Sequence, residues 1–144
     1  MIQSATVDQV IIWQLLCRYC HLVDRGDMAD VVDLFHPDAT LVFPPNPPAK
    51  GREAIRKAYD EWLHTAREPT VWLRHKISSP YIDVEENQAT AVSYLTADFL
   101  LRKKGTIQAL VGRYQDELVR NEDKWLLWRR EILVDARLDF GKPL

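Results

Sequence analysis

Cysteine, glycine and net charge are what this 144-residue chain has least of: two Cys, five Gly and a formal charge of -2 from 19 basic and 21 acidic residues. The two cysteines, Cys17 and Cys20, stand too close together and are too few to form a secreted disulfide framework. Near-neutral charge gives no field able to gather a phosphate backbone, so a nucleic-acid partner is not expected. No uncharged apolar run approaches the roughly 18 residues that a bilayer span requires, so no membrane partner is expected either. Gly-rich phosphate loops, G-x-S-x-G and H-E-x-x-H are all missing, as is any finger-like spacing of metal ligands, and no cofactor or metal is expected. The N-terminal residues carry no basic region followed by an apolar core and cleavage site, which makes a cytoplasmic address the expectation. Cys17-Arg18-Tyr19-Cys20-His21 has the spelling of a haem-attachment string. It falls inside a helix with His21 on the polar side, and we read it as helix rather than haem site.

The length suits a single domain, residues 1–144, with one core that removes roughly two-thirds of the unfolded chain's surface from water. A helix is expected from about 5 to 23, opened by Ser4 or Thr6 and ended at Gly26. Its apolar arc, from Ile12 through Leu15, Leu16, Tyr19, Cys20 and Val23, is too wide for a helix that merely lies on a sheet. One flank of that helix should therefore line an interior space, and Asp24 falls within the arc. A short helix over 27–35, a strand over 39–43, a stiff Pro-rich loop over 43–51 and a third helix over 52–66 follow. The loop should neither join a sheet nor continue a helix. Four β-rich stretches, 71–84, 89–102, 107–120 and 124–137, are separated by short polar turns and should form an antiparallel meander. Helices first and sheet afterwards is an α+β order: three N-terminal helices packed on a curved antiparallel sheet.

Strand alternation singles out a few polar side chains. His75 shares a face with Ile77, Ser79 and Tyr81, whereas Arg74, Lys76 and Ser78 take the solvent side, so the imidazole should point toward the helices. Arg130 is the lone charge on a face with Leu126, Trp128, Ile132 and Val134, and must either be paired, with Asp24 or Asp98 as the structural partner, or lie in a wetted cavity. Arg113 presents the same question more weakly. Tyr19, Asp24, His75 and Arg130 are thus sent toward one interior. A carboxylate on one imidazole nitrogen fixes the tautomer and leaves the other nitrogen free to take a proton. Arg130 and the Tyr19 hydroxyl would hold an oxygen where negative charge grows. Trp13, Phe35, Phe43, Trp62, Tyr94, Phe99 and Trp128, with Arg113, are the expected walls for a flat hydrophobic ligand.

The order and spacing of 16–27, 34–39, Gly51-Arg52-Glu53-Ala54-Ile55, Arg74-His75 and 125–130 resemble the SnoaL-like branch of the nuclear-transport-factor-2-like superfamily. The resemblance implies a cone-shaped barrel. The interval from Tyr19 to Asp24, followed by a strand histidine, looks like bile-acid 7α-dehydratase, and Asp24, His75 and Arg130 match positions used by hexachlorocyclohexane dehydrochlorinase. Scytalone dehydratase is similar but uses a second sheet histidine, and no histidine follows His75 here. The resemblance implies a cofactor-independent lyase or isomerase acting on a small hydrophobic cyclic carbonyl compound. A polyketide-type cyclase, or a non-catalytic subunit like the small chain of ring-hydroxylating dioxygenases, is the alternative. The uncovered sheet face leads us to expect a homodimer or homotrimer.

Overall fold

The computed structural model describes residues 2–144. Helix α1 spans Ile2–Arg25 and α2 spans Met28–Val32; strand β1 (Phe35–Val42) and the two-residue β2 (Ala49–Lys50) precede α3 (Gly51–Trp62). A single π-helical turn, Leu63–Arg67, extends α3, and β3 (Thr70–Glu85), β4 (Gln88–Leu101), β5 (Ile107–Asn121) and β6 (Lys124–Gly141) complete the chain. The six strands form one sheet in the order β2-β1-β6-β5-β4-β3. The fold is α+β, with three helices on a curved, mostly antiparallel sheet.

Three local expectations are corrected. Ser4 and Thr6 lie within α1 rather than at its start. The 27–35 helix stops at Val32, because Phe35 already enters β1, whose register with β6 is parallel and runs from Phe35–Leu127 to Val42–Glu131. The Pro-rich segment does reach the sheet, since Ala49 and Lys50 pair with Leu41 and Thr40.

The meander from β3 to β6 stands as expected, but bulges break its alternation. Between β5 and β6 the register passes from Leu118–Leu127 to Glu117–Arg129, which makes Trp128 the additional residue. A bulge adds one residue to one strand and reverses the parity beyond it. Trp125, Leu127, Arg130 and Ile132 are therefore all buried, while Trp128 is turned out against His36. On β3 the bulge at Ser79–Pro80, with Ser79 at φ 49°, turns Tyr81 to solvent and brings Ile82 and Val84 inward. A third bulge lies opposite Gly112, where an added Cβ would stand 1.9 Å from the Leu133 carbonyl oxygen. Backbone cannot yield as a side-chain tip would, so Gly112→Ala should cost about 1–3 kcal/mol. Thermal unfolding of that variant measures it, and an unchanged Tm would mean that the bulge tolerates a side chain.

Two features bring α1 to its place. The strand β3 forms one edge of the sheet, so alternate N–H groups face away from β4 and need partners elsewhere. At the other end of the contact, the last carbonyls of α1 are orphan acceptors. Arg67, on the π-helical turn, donates from Nη1 to the Gly26 carbonyl at 2.8 Å and to that of Val23 at 3.3 Å. The end of α3 is thereby tied to the end of α1, and the last turn of α1 carries Asp24.

Candidate active site

Asp24 meets the edge strand at His75. Its two oxygens accept the His75 backbone N–H at 3.1 and 2.9 Å, and Oδ1 lies 2.7 Å from His75 Nδ1. One carboxylate thus satisfies an edge-strand donor and grips the imidazole of the same residue. Both side chains are about nine-tenths buried, with 10% of Asp24 and 12% of His75 accessible. With Nδ1 as the donor to Asp24, Nε2 is the nitrogen left with a lone pair. The ring lines a cavity of about 660 Å³ between helices and sheet.

That volume lies in the range of small-molecule sites. Its apolar walls include Val23, Leu41, Phe43, Trp62, Leu95 and Ile132, and the centroid of the Trp62 ring stands 6.1 Å from that of His75. Asn46, Pro47 and Pro48 of the loop before β2 contribute the rim, together with Lys57, Glu61 and Thr65.

Tyr19, Tyr59 and Tyr114 are polar residues on the other walls, and the first two are linked. Both are buried, both line the cavity, and their hydroxyl oxygens are 2.6 Å apart. Burial pushes the pKa of each above the usual phenol value, so both stay protonated at neutral pH. A buried tyrosine on the apolar face of α3 needs a partner for its hydroxyl. That was the available signal for Tyr59, which sequence reasoning did not select.

Arg130 is fully buried, but it meets neither Asp24 nor Asp98. Its Nε and Nη2 each donate to Asp116 at 2.8 Å in a fork, and its guanidinium lies between the rings of Tyr19 and Tyr114, 4.0 and 4.1 Å from their centroids. Although burial alone would lower its pKa, the adjoining Asp116 carboxylate holds it well above the ordinary value. Asp98 is on the opposite face, where Arg74 and Lys76 bind it. Arg130 is thus behind the wall of the cavity rather than in it. Asp116 could have been found: it alternates with Tyr114 and Leu118 as the lone carboxylate of an apolar strand face.

The proposed walls divide similarly. Phe43 and Trp62 line the cavity. Tyr94, 62% exposed, and its register partner Arg113 face the other side of the sheet, the parity opposite to Leu95 and Tyr114. Trp128 follows them outward through its bulge. Phe35 is wholly buried with its ring 6.1 Å from that of Tyr59, a support for α3 rather than a wall. Phe99 is inward but lies beneath the Arg137 guanidinium beyond the cavity, and Trp13 is half-buried on α1 away from it.

The C-x-x-C-H string is helical throughout, with His21 exposed. Cys20 is buried, and burial pushes its thiol up to about 12. The thiolate is the reactive form. Iodoacetamide at neutral pH should therefore spare Cys20 in the native protein and label both cysteines after denaturation, as read by mass spectrometry. Rapid native labelling of Cys20 would show that its helix opens.

No group of His, Cys, Asp and Glu among the described residues is arranged to hold a metal ion. No helix among them is long and apolar enough to cross a membrane. Residues 5–131 match the family of the SnoaL-like domain. A scytalone dehydratase candidate from Novosphingobium aromaticivorans superposes with a TM-score of 0.86 at 26% identity, covering 100% of this chain and 97% of the other. A type 3 hexachlorocyclohexane dehydrochlorinase from Novosphingobium barchaimii gives 0.80 at 12% identity over 94% and 91%, a likeness of fold alone. A protein of unknown function with a cystatin-like fold from Nostoc punctiforme gives 0.73 at 26% identity over 90% and 92%. No curated protein matches the sequence.

Proposed function

The chain belongs to the SnoaL-like domain family, and within that family we propose that it is a cofactor-independent lyase that eliminates water, or a comparable leaving group, from a hydrophobic cyclic carbonyl compound. The observation that carries this reading is the Asp24–His75 contact at 2.7 Å, with the same imidazole on the wall of a largely apolar cavity between helices and sheet. A base must present a lone pair to its substrate, and an aspartate on the far nitrogen both fixes the tautomer and stabilises the imidazolium that forms.

In this mechanism His75 Nε2 takes the proton α to the carbonyl. The C–H electron pair moves into the carbon–carbon bond and the carbonyl pair onto oxygen, giving an enolate. Tyr19 donates a hydrogen bond to that oxygen. As the carbonyl re-forms, the β-hydroxyl leaves with the proton returned by His75, and the products are an enone and water. The carbonyl itself supplies the acidity. Arg130 acts from behind the Tyr19 ring, 4.0 Å from its centroid, without touching the substrate. The apolar walls and the volume of about 660 Å³ favour a flat ring system of modest size. One relative of this fold at 26% identity, a scytalone dehydratase candidate, supports elimination as the class of reaction.

The test is a panel of hydrophobic cyclic β-hydroxy ketones incubated with the purified protein and followed for enone absorbance and loss of water. Turnover that disappears in a variant lacking the imidazole is the expected result. A panel that binds in the cavity and is never dehydrated would overturn elimination.

A further inference from the structure

The elimination described above fixes where the reacting carbons lie but not what hangs from the far side of the ring, and the mouth of the cavity carries charges that the reaction leaves unused. We propose that Lys57, on α3, together with the side-chain amide of Asn46, receives a carboxylate at the distal end of the substrate, and that Glu61 rejects the reversed pose. The substrate is then a cyclic carbonyl acid rather than a neutral ketone. This inference rests on the reading of the cavity as the substrate site, and names the group left at its mouth.

Of the side chains that line the cavity, only Lys57 and Glu61 carry a formal charge at neutral pH, His75 aside. Both are exposed, and four residues apart on α3 they share one face of the helix. On the neighbouring flank Arg56 and Asp60 have the same spacing and the same order of charge, and they close an ion pair at 2.9 Å. Helix geometry therefore permits a pair at the mouth as well. Yet among the described residues neither the Lys57 amine nor the Glu61 carboxylate has an ion-pair or hydrogen-bond partner. A charge on the rim of an apolar cavity keeps more of its field than one on open surface, because low-dielectric walls focus it.

An anion at the rim needs donors, and the Pro-rich loop offers few from its backbone. Pro47 and Pro48 have no N–H, and the Asn46 N–H is already bonded to the Phe43 carbonyl at 3.0 Å. What remains is the Asn46 side-chain amide, which has no partner among the described residues, and the Lys57 ammonium, with three donors on a flexible stem. Farther along α3 the Thr65 hydroxyl donates to the Glu61 backbone carbonyl at 2.9 Å, and the Glu61 carboxylate presents acceptors only. The mouth thus has a donor end at Asn46 and Lys57 and an acceptor end at Glu61. The acceptor end is one residue from Trp62, whose ring stands next to that of His75. A carboxylate arriving there would meet like charge. At the donor end it is satisfied, and the ring that carries it points its other side toward the imidazole.

Naphthalene, 2-naphthoate and 2-naphthylmethylamine test this without a known substrate, being one ring system with no charge, an anion and a cation. At low ionic strength the wild-type protein should bind naphthoate about 5-fold more tightly than naphthalene, the upper range for one exposed ion pair, and should bind the amine no more tightly than naphthalene. Salt at about 1 M, with a screening length of roughly 3 Å, should remove most of the difference. Lys57→Gln should abolish the preference while naphthalene affinity and Tm are kept, and Lys57→Glu should convert it into a preference for the amine. Asn46→Ala should reduce it about 2-fold, the loss of one hydrogen bond. Glu61→Gln should raise affinity for naphthoate and not for naphthalene. With an active carboxylated substrate, Lys57→Gln should raise KM about 5-fold relative to the neutral amide of the same compound, with little change in kcat. Equal wild-type affinities for naphthoate and naphthalene would overturn the proposal, as would a preference that survives in Lys57→Gln. A preference that survives there and is lost in His75→Ala would place the anion at the imidazole instead. His75→Ala otherwise separates this proposal from the one beneath it: that variant should keep the naphthoate preference and lose turnover, so retained turnover would overturn the base and leave the recognition of the carboxylate standing.

Discussion

His75→Ala should lower kcat by about 100- to 10,000-fold on any substrate whose reaction starts with proton removal, the usual contribution of a positioned base. Its fold should persist, because the bonds that Asp24 accepts from the His75 backbone N–H do not involve the ring. Asp24→Asn should be nearly as damaging for a different reason. An amide can donate to Nδ1 as well as accept from it, so the imidazole is free to place its hydrogen on Nε2, where a lone pair is required. The amide oxygen can still accept the His75 backbone N–H, and the thermal midpoint should fall by only a few degrees. The pair of measurements is kcat/KM with Tm for each variant. Wild-type turnover in either would remove proton abstraction by this dyad from consideration, and collapse of both Tm values would show that Asp24 serves mainly to dock α1.

Asp116→Ala should be the most destabilising single substitution away from the dyad. It leaves Arg130, which has no accessible surface, without its counter-ion between two aromatic rings. An uncompensated buried charge costs about 3–5 kcal/mol. That is a large part of the 5–15 kcal/mol that separates folded from unfolded domains, and corresponds to a drop in Tm on the order of 10 °C. Asp116→Leu combined with Arg130→Met replaces the pair by apolar volume and should recover most of the loss, because the desolvation of both charges is avoided together. Tm and urea midpoints of the single and double variants measure the difference. A single variant as stable as the wild type would show that water reaches the guanidinium. A double variant no better than the single one would show that Arg130 holds the Tyr19 and Tyr114 rings by more than volume.

Much of the site was legible because two independent periods converge on it. The apolar arc of α1 carries Asp24 at its end, and the charged alternation of Arg74 and Lys76 on β3 sends His75 the other way. These are local patterns, set by 3.6 and 2 residues per turn or repeat, and the structure joins them at 2.7 Å. Arg130 was correctly placed in the interior, but its partner was not, since pairing depends on which strand lies next door. Asp116 is adjacent only because β5 and β6 have a particular register. Trp128 shows what alternation cannot supply: it is the bulge residue and stands outside, while Leu127 before it and Arg130 beyond it both lie in the core. The parallel pairing of β1 with β6 is equally invisible, because no short turn connects them to reveal their neighbourhood. Tyr94, Phe99 and Trp13 were chosen as walls for being large and aromatic. Size says that a side chain will be packed somewhere, not that the somewhere is a cavity.

The open edge of a sheet invites strands from other molecules, and proteins ordinarily guard it with charge, a twist or a covering helix. Here the guard at the middle of β3 is the carboxylate that also grips the imidazole. Resistance to intermolecular strand addition and competence for proton transfer are therefore vested in the same two oxygen atoms. Selection against aggregation would preserve Asp24 even in a descendant that had abandoned chemistry, so its presence in a relative is a weaker sign of activity than the presence of His75.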